Sequence, residues 1–259
     1  MSETPFDWAH IAAAVWRSHR SGLRAIRRLD PVSWRDLTGI DRQKQALARN
    51  TERFLAGEPS NNALLWGSRG TGKSSLIKAL LNRYRDQGLR MIEVDKDDLV
   101  NLPEIVDDIC DLPFRFVIFC DDLSFDVGES GYKALKSVLE GSLELPPENV
   151  RVYATSNRRH LMPEFMSDNV KSEVRDGELH PAEAIEEQVS LADRFGLQLS
   201  FYPFSQDIYL QAVDALFPQV ADREQLHIEA VRFATGKGVR NGRTAQQFFR
   251  QFAGDPRFC

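Results

Sequence analysis

Through the middle of the chain, short apolar runs alternate with amphipathic stretches. Residues 63–66, 90–94, 114–120, 150–155 and 197–202 are runs of this kind, each too short for an ordinary globular helix. They predict five strands. The stretches between them, such as SLIKALLNRYRD at 75–86, carry helical periodicity. Strand alternating with helix predicts an α/β fold, with a parallel five-stranded sheet covered by helices on both faces.

The flanks read differently. In residues 6–29, Trp8, Ile11, Val15, Leu23 and Ile26 fall near helical spacing with arginines between them, which predicts one or two N-terminal helices. Asp30 and Pro31 break that region. Asp41 is placed to cap a helix running to about Ala56, before Gly57 and Pro59 stop it. Beyond Pro203 the pattern is helical only, over 206–217, 222–234 and 243–253, with Pro218 and TGKGVRNG as separators. The chain therefore divides into an N-terminal helical region (1–30), an α/β domain (31–203) and a small helical lid (204–259). Segment 161–190 is polar and acidic with few apolar anchors, and is expected to be mobile.

Composition narrows the class. With 42% hydrophobic and 27% charged residues in 259, the chain is an ordinary globular protein that can bury a core without staples. A net charge of -5 argues against a surface that traps nucleic acid as a whole and leaves room only for a local patch. The basic end is the N-terminal one: Arg17, Arg20, Arg24, Arg27 and Arg28 outnumber Glu3, Asp7 and Asp30, as either a solvated face or a docking surface. Cys110, Cys120 and Cys259 form no CxxC pair, which fits a reducing compartment and hence the cytoplasm. The start MSETPFDW lacks a signal-peptide pattern and no apolar run approaches the length of a membrane span, so no membrane association is expected.

The chemistry begins directly after the first predicted strand. Gly67-Ser68-Arg69-Gly70-Thr71-Gly72-Lys73-Ser74 has the G-x-x-x-x-G-K-[ST] spacing and opens a strongly helical segment. Its glycines let successive backbone N–H groups turn inward on phosphates, and the helix start adds its positive dipole end. Lys73 brings an ammonium to the outer phosphates, and the Ser74 hydroxyl is left to hold Mg²⁺. The third predicted strand ends in Asp121-Asp122, which delivers two carboxylates to the sheet edge where the loop lies. Asp121 would hold Mg²⁺ through water, and Asp122 stands where a carboxylate polarises the water attacking a γ-phosphate.

In that order of motifs the chain resembles the AAA+ ATPases over about residues 30–253. Several consequences follow from the resemblance. Ser75 completes the nucleotide-binding loop, Asn157 in VYATSNRRH matches sensor 1, which orients the attacking water, and Ile40 matches the linker position that packs on adenine. Arg194 in SLADRFGL resembles the arginine finger that reaches a neighbouring subunit's nucleotide, with an intramolecular salt bridge as its alternative reading. Arg243, opening the last helix, resembles the lid arginine, and Arg240 is its rival. The strings LLWGSRGTGKSSL, IFCDDLSF, YATSNRRHL and LADRFGL are similar to a bacterial AAA+ family catalogued only as a domain of unknown function.

The resemblance implies ATP and Mg²⁺ as ligands, a homo-oligomer, and remodelling or loading of a protein client, with nucleic acid possible but not favoured. Two departures bear on mechanism. Asp122 stands where the family usually carries Glu, one methylene longer, so slow or partner-stimulated hydrolysis is expected. No aromatic occurs in VDKDDLVNLPEIVDDI, where AAA+ unfoldases carry a residue that grips a threaded polypeptide. A nucleotide-state switch is therefore the second reading, and a small-molecule phosphotransferase a third that lacks an evident acceptor base.

Overall fold

The computed structural model describes residues 6–18, 22–125, 130–141, 145–158, 161 and 191–258. Apart from Leu161, the acidic segment 161–190 lies outside the described residues. The five expected strands are present as β3 (Ala63–Gly67), β4 (Leu89–Glu93), β5 (Arg115–Cys120), β6 (Val150–Ser156) and β7 (Leu197–Phe201). They run parallel in the spatial order β4-β5-β6-β3-β7.

Among the described residues the sheet nevertheless has seven strands, because the region expected to form N-terminal helices contributes two of them. β1 (Ala13–Arg17) pairs parallel with β4, and β2 (Gly22–Ala25) pairs antiparallel with β1 to form the new sheet edge. The reason lies in the six-residue apolar run Ile11–Trp16. Ala13, Ala14, Val15 and Trp16 are all buried, Ala14 and Trp16 against one face of the sheet and Ala13 against the other. Burial on both faces is the condition of a central strand, and it overrides the helix propensity of three consecutive alanines.

Helices α1 (Asp41–Leu55) and α2 (Lys73–Tyr84) cover one face. There Leu47, Phe54, Leu76 and Leu80 pack on Leu65, Tyr153 and Phe201. On the other face α3 (Leu102–Asp107) and α4 (Ser130–Glu140) pack Ile105 and Leu135 against Ile92 and Ile118. The C-terminal helices α5 (Gln206–Leu216), α6 (Arg223–Lys237) and α7 (Gly242–Phe252) enclose a core of their own built on Tyr209, Leu226, Phe217 and Phe248. Side chains cap all three: Ser205 accepts from Ile208 N, Asp222 from Gln225 N and Asn241 from Thr244 N.

One buried cation ties the N-terminal segment down. Arg90 on β4 is 7% exposed, and its guanidinium donates to the carbonyls of Trp8 at 2.6 Å, Arg85 at 2.8 Å and Leu89 at 2.9 Å while lying over the Phe114 ring. Burial pulls its pKa down from the usual arginine range. Arg90→Met keeps the apolar stem and strands the Trp8 carbonyl, and is expected to cost about 2–3 kcal/mol in urea unfolding. An unchanged midpoint would show that these bonds do not hold the segment.

Candidate functional site

The loop 67–74 leaves β3 at the carboxyl edge of the sheet and enters α2 at Lys73. Gly67 sits at φ +127, and a β-carbon there would overlap the Phe201 carbonyl of β7. That close approach lets Ser68 N donate to Phe201 O at 2.9 Å and sets the direction of the loop. Thr71, buried, donates its hydroxyl to Ser68 O at 2.7 Å and closes the turn. Ser68, Gly70, Gly72 and Ser75 are half-buried and Arg69 is exposed.

Lys73 is 7% exposed, and its ammonium donates to Gly67 O and Ser68 O at 2.8 Å each and to Asn157 Oδ1 at 3.2 Å. Burial lowers its pKa, Asp122 and then Asp121 oppose that, and Arg69 and Arg243 add to the lowering. The loop thus holds a desolvated cation facing two carboxylates.

Those carboxylates lie at the end of β5. Ser74 Oγ donates to Asp121 Oδ1 at 2.6 Å, and Thr155 Oγ1 on β6 donates to the same oxygen at 2.6 Å. Asp122 adopts φ +51, a left-handed conformation uncommon outside glycine but tolerated by Asp, and its N–H donates to Thr155 Oγ1 at 2.9 Å. Asn157 Nδ2 donates to Asp122 Oδ1. Asn157 therefore bridges Lys73 and Asp122 with the two ends of one amide. The structure brings together Lys73, Ser74, Asp121, Asp122 and Asn157 around a residue the sequence did not single out, Thr155. Glu93, at the end of β4, has its carboxyl pKa pushed up by burial, a shift that Lys78 opposes and Asp95 and then Asp121 reinforce.

The linker and lid close the site from the other side. Ile40, buried beside Leu37, lies where a β-carbon on Gly72 would meet its Cδ1 at 3.6 Å. Gly39 approaches Ile208 of α5. Arg243 N donates to Gly70 O at 3.4 Å, and Arg243 is among the charges acting on Lys73. Arg240 instead acts on Tyr209 inside the lid, and its buried Nε has no hydrogen-bond partner among the described residues. Arg194 is not gathered into this cluster: it ion-pairs with Glu140 at the end of α4, with Nε and Nη2 both on Oε1.

A phosphate loop between β3 and α2, paired aspartates at the end of β5 two strands away, and a helical lid bonded to the loop define a P-loop fold of the AAA+ class. The chain belongs to the family described as "Protein of unknown function (DUF815)", whose model matches residues 9–256. It is 37% identical to the replication factor C large subunit of Sulfolobus acidocaldarius over 30% of this chain and 17% of that protein. Its identity to the 26S proteasome regulatory subunit 6B homolog of Encephalitozoon cuniculi is 28%, over 49% of this chain and 39% of that one. The chain thus spans less than half the length of either. Among solved structures, the Aeropyrum pernix ORC1 protein in complex with DNA superposes with a TM-score of 0.55 at 17% identity, covering 85% of this chain and 60% of that one. A mutant RuvB of Thermotoga maritima gives 0.50 at 13% identity, with 89% and 76% covered. At these identities the likeness is one of fold.

Proposed function

We propose that this chain binds and hydrolyses ATP with Mg²⁺, assembles into a homo-oligomer in the cytoplasm, and uses the nucleotide cycle to remodel or load a macromolecular client. The observation that carries this reading is the convergence of Lys73, Ser74, Asp121, Asp122 and Asn157 at the mouth of one glycine-rich loop. The Ser74 hydroxyl and Asp121 carboxylate, already hydrogen-bonded, are hard oxygen donors that suit Mg²⁺ and would hold it. When bound, the ion would neutralise charge developing on the phosphate oxygens.

The chain's own groups do the rest. Backbone N–H groups of Gly67–Ser74 bind phosphate oxygens, and Lys73 exchanges the carbonyls of Gly67 and Ser68 for the outer phosphates. Asp122 accepts a proton from, or aligns, the attacking water, and Asn157 holds the Asp122 carboxylate in place for it. Thr155 fixes both aspartates from behind through one hydroxyl. Ile40 packs on the adenine, Arg243 reaches the phosphates from the lid over residues 204–259, and Arg194 serves the site of a neighbouring subunit.

A second reading is favoured by the short Asp122 side chain and its engagement by Asn157: a switch that holds its partner in the ATP state and turns over rarely. Steady-state Mg-ATP hydrolysis separates the two. A turnover near the enzyme median of about 10 s⁻¹ supports the motor, and tight binding with turnover orders of magnitude lower supports the switch. The client is proposed to be protein rather than nucleic acid, given the net charge of -5. Among the described residues no helix is long and apolar enough to cross a membrane.

A further inference from the structure

The lid meets the phosphate loop through a buried side-chain amide. Asn241, 6% exposed, precedes α7, and its two ends face different parts of the protein. Oδ1 accepts from Thr244 N at 2.8 Å and from Thr244 Oγ1 at 3.0 Å, which caps the helix. Nδ2 donates to the carbonyl of Arg69 in the loop at 3.0 Å, across 172 residues of sequence. Reversing the amide would set its nitrogen against an N–H and its oxygen against a C=O, so the two bonds fix each other's sense.

The contact is close enough to explain a glycine. Gly70 is at φ +74, and a β-carbon there would lie 2.7 Å from Asn241 Nδ2, so a side chain at 70 is excluded both by backbone conformation and by the amide. Two backbone bonds flank the contact. Arg243 N donates to Gly70 O at 3.4 Å, and Phe204 N, at the start of the lid, donates to Arg240 O at 3.0 Å.

We infer that Asn241 is a positioning residue that locks the lid to the backbone of the phosphate loop, so that loop shape and lid position change together. Phosphates that draw the amides of residues 69–71 inward move the Arg69 carbonyl, and the lid must follow it or release it. The lid then reports loop occupancy through the peptide backbone, before any arginine reaches a phosphate. This deepens the proposed nucleotide reading and rests on it for its purpose, though not for its geometry.

The test uses the full chain as wild type, Asn241→Ser and Asn241→Ala. Serine is as good a helix cap as asparagine but too short to reach Arg69, whereas alanine loses both bonds. Without nucleotide, Asn241→Ser is expected to raise amide hydrogen exchange about fivefold in residues 68–72 and 240–244, the effect of one hydrogen bond, with exchange in 246–252 unchanged and Tm lowered by no more than about 2–4 °C. ATP affinity falls by about the same factor. Asn241→Ala additionally frays α7. Wild-type exchange in the loop of Asn241→Ser would overturn the inference whatever happens to ATP. So would loosening of 246–252 to the same degree as the loop, since Asn241 would then act only as a cap. If the wild type binds no nucleotide while Asn241→Ser still loosens the loop, the proposed function fails and the lock stands.

Discussion

Replacing Lys73 with alanine is expected to abolish ATP binding while leaving the fold intact. The ammonium is the one side-chain cation buried in the loop, and it faces Asp121 and Asp122, so without phosphates it serves chiefly to bond the carbonyls of Gly67 and Ser68. With phosphates it becomes a charge-assisted donor in a partly desolvated site, where loss of one such group costs about 10²- to 10³-fold. Stability should fall by no more than about 1–3 kcal/mol, the cost of leaving the Gly67 and Ser68 carbonyls without this donor. Burial lowers the Lys73 pKa, which means that folding disfavours the charged form. The unfolded chain therefore binds the proton more tightly, and this residue's contribution to stability improves as pH rises from below its folded pKa towards the ordinary lysine value of 10.5. Titration calorimetry with ATP checks the first expectation and thermal unfolding the second. Full ATP affinity in Lys73→Ala would remove the loop from the mechanism.

The second large effect concerns Arg194. Arg194→Ala is expected to leave ATP affinity unchanged and to lower hydrolysis by about 10³-fold or more, the worth of an arginine supplied to a phosphoryl-transfer transition state. In the isolated chain this guanidinium is held by Glu140, the last residue of α4, so the arginine is parked on a surface carboxylate rather than on its own subunit's loop. Glu140→Gln separates the two readings of that pair. If the pair parks a finger, Glu140→Gln keeps or raises hydrolysis. If the pair is merely structural, Glu140→Gln and Arg194→Ala lose the same stability in denaturant melts and have equal effects on rate.

The candidate cluster was legible in the chain wherever chemistry and local spacing coincide. Gly67 to Ser74 is one contiguous string, and Asp121-Asp122 follows an apolar run that must be a buried strand, so both could be placed before any contact was known. Thr155 could not, because a threonine inside a strand is ordinary, and its meaning arises only when β6 is laid beside β5 and its hydroxyl meets Asp121. The Asn241–Arg69 bond is invisible for the same reason, and so is Glu140 as the partner of the salt bridge that was the alternative reading of Arg194, since each joins residues far apart in sequence. In the fold, the parallel strands stood out as unbroken apolar runs. The N-terminal hairpin did not, because alanine scores for helix and the arginines beside Ile11–Trp16 imitate a helix's polar face.

The claim that the active site is shared between subunits is tested most directly by mixing two inactive variants. Lys73→Ala retains Arg194 but cannot bind ATP, and Arg194→Ala binds ATP but supplies no finger. Mg-ATP hydrolysis is measured for each alone and for equimolar mixtures over a range of total concentrations. A shared site predicts that the mixture recovers activity, increasingly so as concentration rises and mixed assemblies form. A mixture that stays as inactive as its components, while the wild type hydrolyses ATP at every concentration, would mean that each chain works alone and would contradict the role proposed for Arg194.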